Sequence, residues 1–290
     1  MKRLRLACSV SLVPLVLISL LAPCAAHAIC YGDQAQASTP LVFSPVPQFP
    51  VPTLFARWAP VLEAVGKASG ECFELVIQPT IPEFEKALLK GAPAIAYANP
   101  YHAVMAYKAK QYQPLLADGS TLLSGILVAK KDSNITQAAD LQNLRVDFPS
   151  PNAFAASLLL RAHLRQSKID IRPHYVNTHS NVYRGVLIGE AAAGGGVNRT
   201  LEGEPEEIRQ KLRVIYESPG YCSHPIITSP KVSAAIRDKI LRSFIALEKT
   251  EQGRSLLAGV QLNQPIPVSY HKDYRPLEAL NLEKLVVLDE

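Results

Sequence analysis

The chain has 290 residues, with 30 Lys+Arg against 25 Asp+Glu and five cysteines. Charges of both signs are interspersed and form no basic stripe, which argues against a nucleic-acid surface. The length leaves room for two modest domains or one large one, with ample core.

The first residues carry an export pattern. Lys2, Arg3 and Arg5 open the chain with no acid nearby, an apolar run extends from Leu6 to Leu21, and Ala26-His27-Ala28 closes the segment. A basic start, an apolar middle and small residues at the cut are the layout of a cleavable secretory signal, so residues 1–28 are expected to be removed after Ala28. Pro14 interrupts a run already short for a membrane span of about 20 residues. Pro23 stands where a lipoprotein signal wants a small residue before Cys24. Without Lys2, Arg3 and Arg5 the balance is 27 basic against 25 acidic residues, a formal +2. The mature protein is thus read as nearly neutral, soluble and active outside the cytoplasm. Cys30, Cys72 and Cys222 remain, and an oxidising compartment favours one disulfide plus one free thiol, with the pairing open.

Pro40 to Ser44 reads as a short buried strand leading into the proline-rich Pro45 to Pro52. Thr53 is expected to cap a helix from Leu54 to about Ala68, with Leu54, Trp58, Val61, Leu62 and Val65 on one face and Gly70 as its stop. Cys72 to Ile77, Glu83 to Lys90 and Ala94 to Tyr97 continue as strand, helix and strand. Asn99-Pro100-Tyr101 opens another helix. Tyr112 to Ala117 and Leu122 to Ala129 look like antiparallel strands, and Lys130 to Ser133 like a crossover. A second series follows: strand Leu144 to Phe148, helix Asn152 to Gln166, strand His174 to Val176, helix Asn181 to Ile188, a Gly-rich stretch Ala191 to Val197 and strand Leu212 to Tyr216. From Ile226 the pattern is helical (Lys231 to Leu247, Glu251 to Leu257) before an irregular tail.

Alternating strands and helices predict mostly parallel sheets flanked by helices. Two such halves give an α/β protein of two lobes: residues 29–129 plus 223–290 in one, 130–222 in the other. The cleft between them is where strand ends and their loops would hold a ligand.

Phe148-Pro149-Ser150-Pro151-Asn152-Ala153-Phe154 is the strongest local signal. Ser150 suits an N-cap and Pro151 the first helical position. The N–H groups of Asn152, Ala153 and Phe154 would then form an anion cradle at a helix start. Tyr101, His179 in Thr178-His179-Ser180-Asn181, and Gln48 after the first strand also fall at strand ends or helix starts. Each signal is weak alone, and their coincidence on one nominal rim is what points to a binding site. No Gly-x-Ser-x-Gly elbow or zinc-protease helix is present, so no catalytic residue is assigned. Cys222-Ser223-His224 lacks further ligands at metal-binding spacing, so no metal or cofactor is expected. Gly194-Gly195-Gly196 lacks the Lys-Ser/Thr of a phosphate loop and is read as a place where backbones pass closely. Glu204 to Glu207 reads as a solvated acidic turn.

Pro45-Val46-Pro47-Gln48 before Trp58 to Glu63, Tyr97 to Tyr101, Thr178 to Arg184 and Gly189 to Gly194 together resemble the phosphate/phosphite/phosphonate-binding periplasmic proteins of ABC transporters, the PhnD-like family. The resemblance spans roughly residues 40–260. It implies a hinged, type II-like periplasmic binding protein that is no enzyme, holds a small oxyanion between its lobes and hands it to a transporter permease. A sensor of the same fold reporting to a membrane partner is the alternative, and a monomer is expected. By motif, Tyr101, His179 and Ser150 to Phe154 fall on the family's ligand positions. Two departures stand out. The family usually carries adjacent Ser/Thr hydroxyls where Asn152-Ala153 stand here. Ala192 replaces an acidic residue frequent in the Gly-Glu-x-Asp-Ala stretch, which disfavours an aminoalkyl phosphonate.

Overall fold

The computed structural model describes residues 29–33 and 39–287. The signal expected in residues 1–28 lies outside the described residues.

The first half contains β1 (Tyr31–Gly32), β2 (Leu41–Pro45), α1 (Val51–Ser69), β3 (Cys72–Leu75), α2 (Ile81–Lys90), β4 (Ile95–Tyr97), α3 (Pro100–Lys110) and β5 (Gln113–Asp118). The middle contains β6 (Ile126–Lys130), a 3-10 turn at Ala138–Leu141, β7 (Arg145–Phe148), a π-helical segment Phe154–Leu159 running into α4 (Leu160–Gln166), β8 (Arg172–Tyr175), α5 (His179–Ile188), β9 (Ala193–Gly196), α6 (Asn198–Glu202), α7 (Glu206–Arg209) and β10 (Leu212–Glu217). The chain returns through β11 (Pro225–Thr228), α8 (Ala234–Leu247), α9 (Glu251–Gly259) and β12 (Pro265–Pro267), then closes in helical turns between Tyr270 and Lys284.

Two sheets result. The larger has the order β1-β3-β2-β4-β11-β5-β12 and the smaller β10-β6-β9-β7-β8. Both are mixed, which corrects the expectation of mostly parallel sheets. Parallel pairing is confined to β3-β2-β4 and β8-β7-β9, the strands linked by helices. β11 enters antiparallel between β4 and β5, where the sequence pattern suggested only helices. Its Pro-Ile-Ile-Thr is a run too short to show a period, buried on both faces. β6, expected to end the first half, pairs with β9 and β10 in the smaller sheet. The chain therefore crosses between the sheets at residues 119–125 and returns at 218–224. These two crossings run side by side: Leu123 and Tyr221 exchange backbone bonds of 2.8 and 3.0 Å, and Ser218 N–H donates to Gly125 C=O at 2.9 Å.

Local chemistry explains the element ends. α1 begins two residues before the expected Thr53 cap, because Pro52 in its first turn has no N–H to leave unsatisfied. Gly70 ends it in the left-handed region, φ 71°, with its N–H on Gly66 C=O. In β9 glycine is required by contact. A Cβ on Gly195 would lie 2.1 Å from Ala156 C=O, and one on Gly196 would lie 2.2 Å from the Tyr183 hydroxyl. The run thus lets helices on both faces press onto the strand, as the sequence reading expected.

The larger sheet's core gathers Phe43, Trp58, Leu62, Phe84, Leu116, Ile226 and Tyr274. β6 alternates, sending Ile126 and Val128 to one face of the smaller sheet and Leu127 to the other. Phe154, Ala155, Leu158, Leu159 and Ala162 belong by sequence to the second half but pack in the larger sheet's core cluster. The lobes therefore share an apolar seam.

Cys30 is bonded to Cys72, with Cα atoms 5.4 Å apart, and ties β1 to β3; Cys222 is free beside the Tyr274 hydroxyl at 3.2 Å. The closed loop spans 42 residues. Replacing both bonded cysteines by serine is expected to lower unfolding stability by about 2–5 kcal/mol, read as a shift of the urea midpoint of Trp58 fluorescence. An unchanged midpoint would show that the bridge adds nothing.

Candidate functional site

The carboxyl ends of β2 and β4 in the larger sheet, and of β7 and β9 in the smaller, open toward the contact between the lobes. Gln48, Tyr101, Ser150 and the Phe154 helix all follow these strands, while His179 follows β8. The segment from Ser150 to Phe154 adjoins a buried polar chain.

That chain starts at Glu85 in α2. Glu85 Oε1 accepts from His102 Nε2 at 2.8 Å, and both side chains are fully buried. The Asn99 N–H donates to His102 Nδ1 at 3.4 Å, leaving the Nε2 proton for Glu85. Asn99 Oδ1 caps α3 by accepting from the His102 N–H at 2.8 Å. Its Nδ2 then crosses to the other lobe and donates to the Asn152 carbonyl at 3.3 Å. The Asn152 side chain returns the contact, donating to Glu85 Oε2 at 2.9 Å. It also holds the end of the chain: Nδ2 donates to Val287 C=O at 2.7 Å, and Val287 N–H donates to Oδ1 at 3.0 Å. Arg161 adds a second tie, donating to Pro151 C=O at 2.6 Å and Leu285 C=O at 3.0 Å.

Asn152 is therefore a junction of two lobes and the C-terminal segment, and its side-chain groups are all engaged within the protein. This corrects the expected helix start. Ser150 is not a cap: its hydroxyl is buried without a partner among the described residues, and Pro151 is not helical. The Pro151 carbonyl is taken by Arg161 and Ser157 side chains, so the helix opens at Phe154. Its first turn is a π turn, with Leu158 N–H donating to Ala153 C=O at 3.0 Å. The N–H groups without an intrahelical acceptor are consequently those of Phe154, Ala155 and Ala156, while Ala153 N–H reaches Ser150 C=O at 3.5 Å. The Phe154 ring is buried, edge-on to Tyr221 at 6.2 Å. Tyr101 is buried in the first turn of α3, and burial together with nearby Glu283 and Glu85 pushes its hydroxyl up to about 12.

Gln48 and His179 have separate partners. Gln48 Nε2 donates to His224 Nε2 at 2.7 Å, so that ring nitrogen is unprotonated. His224 stacks on Tyr97 at 5.6 Å, and desolvation holds it down to about 3. His179 Nδ1 lies 3.2 Å from Thr200 Oγ1, which is 2.6 Å from the Tyr183 hydroxyl. Desolvation keeps His179 neutral, down to about 4, so it offers hydrogen bonding rather than charge. His224 was not singled out from the sequence; its only signal was its place beside Cys222, where it suggested a metal pair. Among the described residues no group of three His, Cys, Asp or Glu is placed to hold a metal ion. No described helix is long and apolar enough to cross a membrane. A hollow of about 10 Å³, room for roughly one water, lies beside Gln48, Arg57, Trp58 and Tyr97.

Two mixed α/β sheets joined by paired crossings, with strand ends meeting at the seam, define the class of two-lobed periplasmic binding proteins. Residues 43–274 match the family described as ABC transporter, phosphonate, periplasmic substrate-binding protein, and the chain belongs to that family. Solved structures agree on the fold. A binding protein component of an ABC phosphonate transporter from Pseudomonas aeruginosa superposes with TM-score 0.71 at 17% identity, covering 84% of this chain and 86% of its own. PhnD1 from Prochlorococcus marinus, solved with methylphosphonate, gives 0.73 at 14% identity and coverage of 86% and 98%. A Xanthomonas citri protein solved with ATP gives 0.70 at 13% identity and coverage of 87% and 100%.

Two outcomes follow from this geometry. Asn152→Ala leaves the buried Glu85 carboxyl and the Val287 backbone short of partners, at an expected cost of about 2–4 kcal/mol. It should also speed protease cleavage near residues 280–287; native-like cleavage there would show that Asn152 does not hold the segment. The second concerns pH. His179 and His224 are neutral in the folded protein but protonate near 6.5 when unfolded. The unfolded chain thus binds more protons, so their contribution is complete above about pH 6.5 and falls as pH drops toward 4. Thermal midpoints should decline over that window, and less steeply in His179→Gln or His224→Gln.

Proposed function

We propose that the protein captures a small phosphonate-like oxyanion between its lobes and delivers it to an ABC transporter. The observation that carries this reading is convergence. Asn99, between the end of β4 and the start of α3, bonds the Asn152 carbonyl between β7 and the Phe154 helix, so two strand ends and two helix starts share one interlobe contact. Helix starts present backbone N–H groups and positive dipole ends, the ordinary equipment for holding an oxyanion. Phe154, Ala155 and Ala156 N–H groups supply the anion cradle, with Gln48 and His179 as neutral side-chain partners. Membership of the phosphonate-binding family, and the methylphosphonate held by the Prochlorococcus relative, support the choice of ligand.

The lobes open and close about the paired crossings at 119–125 and 218–224. Binding, with no covalent step, is the whole of the activity, and the protein acts as a monomer with no nucleic-acid partner. Residues 1–28 serve as the export signal and are cleaved.

Calorimetric titration with methylphosphonate, phosphite and phosphate, alongside thermal shift, tests this reading. Saturable heat and a raised melting midpoint with at least one of them are expected. The absence of both for all three ligands would remove the oxyanion assignment while leaving the fold untouched.

A further inference from the structure

The C-terminal turns end in a segment that reaches across the seam. Tyr274, Leu277 and Leu282 are buried in the larger lobe's core cluster, and Leu285 and Val286 pack on it. The hydrogen bonds of the segment go to residues that follow strands of the smaller lobe. Val287 N–H donates to Asn152 Oδ1 at 3.0 Å, and Asn152 Nδ2 donates back to Val287 C=O at 2.7 Å. The Arg161 guanidinium donates to Leu285 C=O at 3.0 Å.

Both partners are anchored in the smaller lobe. Asn152 comes shortly after β7, which pairs with β8 and β9 in the smaller sheet. Arg161 lies between Leu160 and Leu164, which are buried in that sheet's core. A side-chain amide that bonds both the N–H and the C=O of one residue imitates a rung of a β-ladder. Arg161 adds a charge-assisted bond beside it.

The lobes are thus joined by the chain at 119–125 and 218–224, and a third time through hydrogen bonds alone. The third link braces the interlobe contact itself, because the same Asn152 accepts from Asn99 at 3.3 Å and donates to Glu85 at 2.9 Å. Packing behind the link is incomplete. A cavity of about 220 Å³ lies between Ala162 and Arg165 on one side and Lys284 and Leu285 on the other. Bonds at the tip, more than continuous packing, resist separation there.

We propose that Leu285 to Val287 form a strap that limits how far the lobes open and holds the free protein near the arrangement in which Asn99 touches Asn152. A protein kept near its binding-competent arrangement loses less affinity to its open population. The effect on affinity rests on the oxyanion reading above, whereas the limit on opening does not.

The test compares the native protein with a variant ending at Lys284 and with Val287→Pro, which removes one N–H donor and leaves the chain whole. Small-angle X-ray scattering without ligand should give the shortened chain a larger radius of gyration than the native protein, and Val287→Pro an intermediate one. Saturating methylphosphonate should bring all three to a common radius. Calorimetry should show methylphosphonate bound about tenfold more weakly by the shortened chain, the worth of one charge-assisted hydrogen bond, and about threefold more weakly by Val287→Pro. If circular dichroism shows that shortening unfolds the chain, Val287→Pro decides alone. Equal radii for the free native protein and its folded variants overturn the strap. Equal affinities despite a wider free form overturn its effect on binding. No heat from the native protein with methylphosphonate, phosphite or phosphate removes the oxyanion reading, and the ligand-free radii still decide the strap.

Discussion

The polar chain from Glu85 through His102 and Asn99 to Asn152 is the constraint on which the seam between the lobes depends. A carboxyl group with no exposure must be given hydrogen-bond donors or it destabilises the fold. Glu85 finds one donor on its own lobe, in α3, and one on the opposite lobe, in Asn152. The same asparagine then binds the backbone of Val287 on both sides. Three distant parts of the chain are therefore held by one side chain. The apolar residues of the Phe154 helix complete the seam by entering the larger lobe's core.

This constraint also shapes the candidate site. Because Asn152 must reach Glu85 and Val287, and Pro151 must give its carbonyl to Arg161, the segment cannot wind into a helix at Pro151. The helix start moves to Phe154 and takes the free N–H groups with it. Asn152, expected from the sequence to help hold a ligand, joins the lobes with its side chain. What remains for the proposed anion is backbone donors, with Gln48 and His179 as neutral side-chain partners. Such a site relies on oriented dipoles more than on fixed charge close to the ligand.

Much of the fold was legible in the sequence where its chemistry is local. The Leu54, Trp58, Val61, Leu62, Val65 stripe, the Gly70 stop and the close-packed glycines of β9 could each be read from a few residues. β11 could not, since four buried residues carry no periodic signal. Nor could the sheet that β6 joins, because its apolar run suits either lobe and only the pairing with β9 and β10 decides. The motif at 148–154 reads as a capped helix start at Ser150, and the helix instead opens at Phe154. Ser150 and Pro151 look like a cap in isolation, whereas the partners that unmake the cap lie 67 and 135 residues away in Glu85 and Val287.

The sequence by itself determined the α/β alternation, the helix faces and stops, and the resemblance to phosphonate-binding proteins. These follow from spacing, turn residues and short motifs, all of which act within a few positions. Only the tertiary structure decided that Cys30 pairs with Cys72, that both sheets are mixed, and that Asn152 links the lobes while Gln48 meets His224. Those facts depend on which buried polar groups meet after the chain has crossed twice between its sheets, and no local pattern records that meeting.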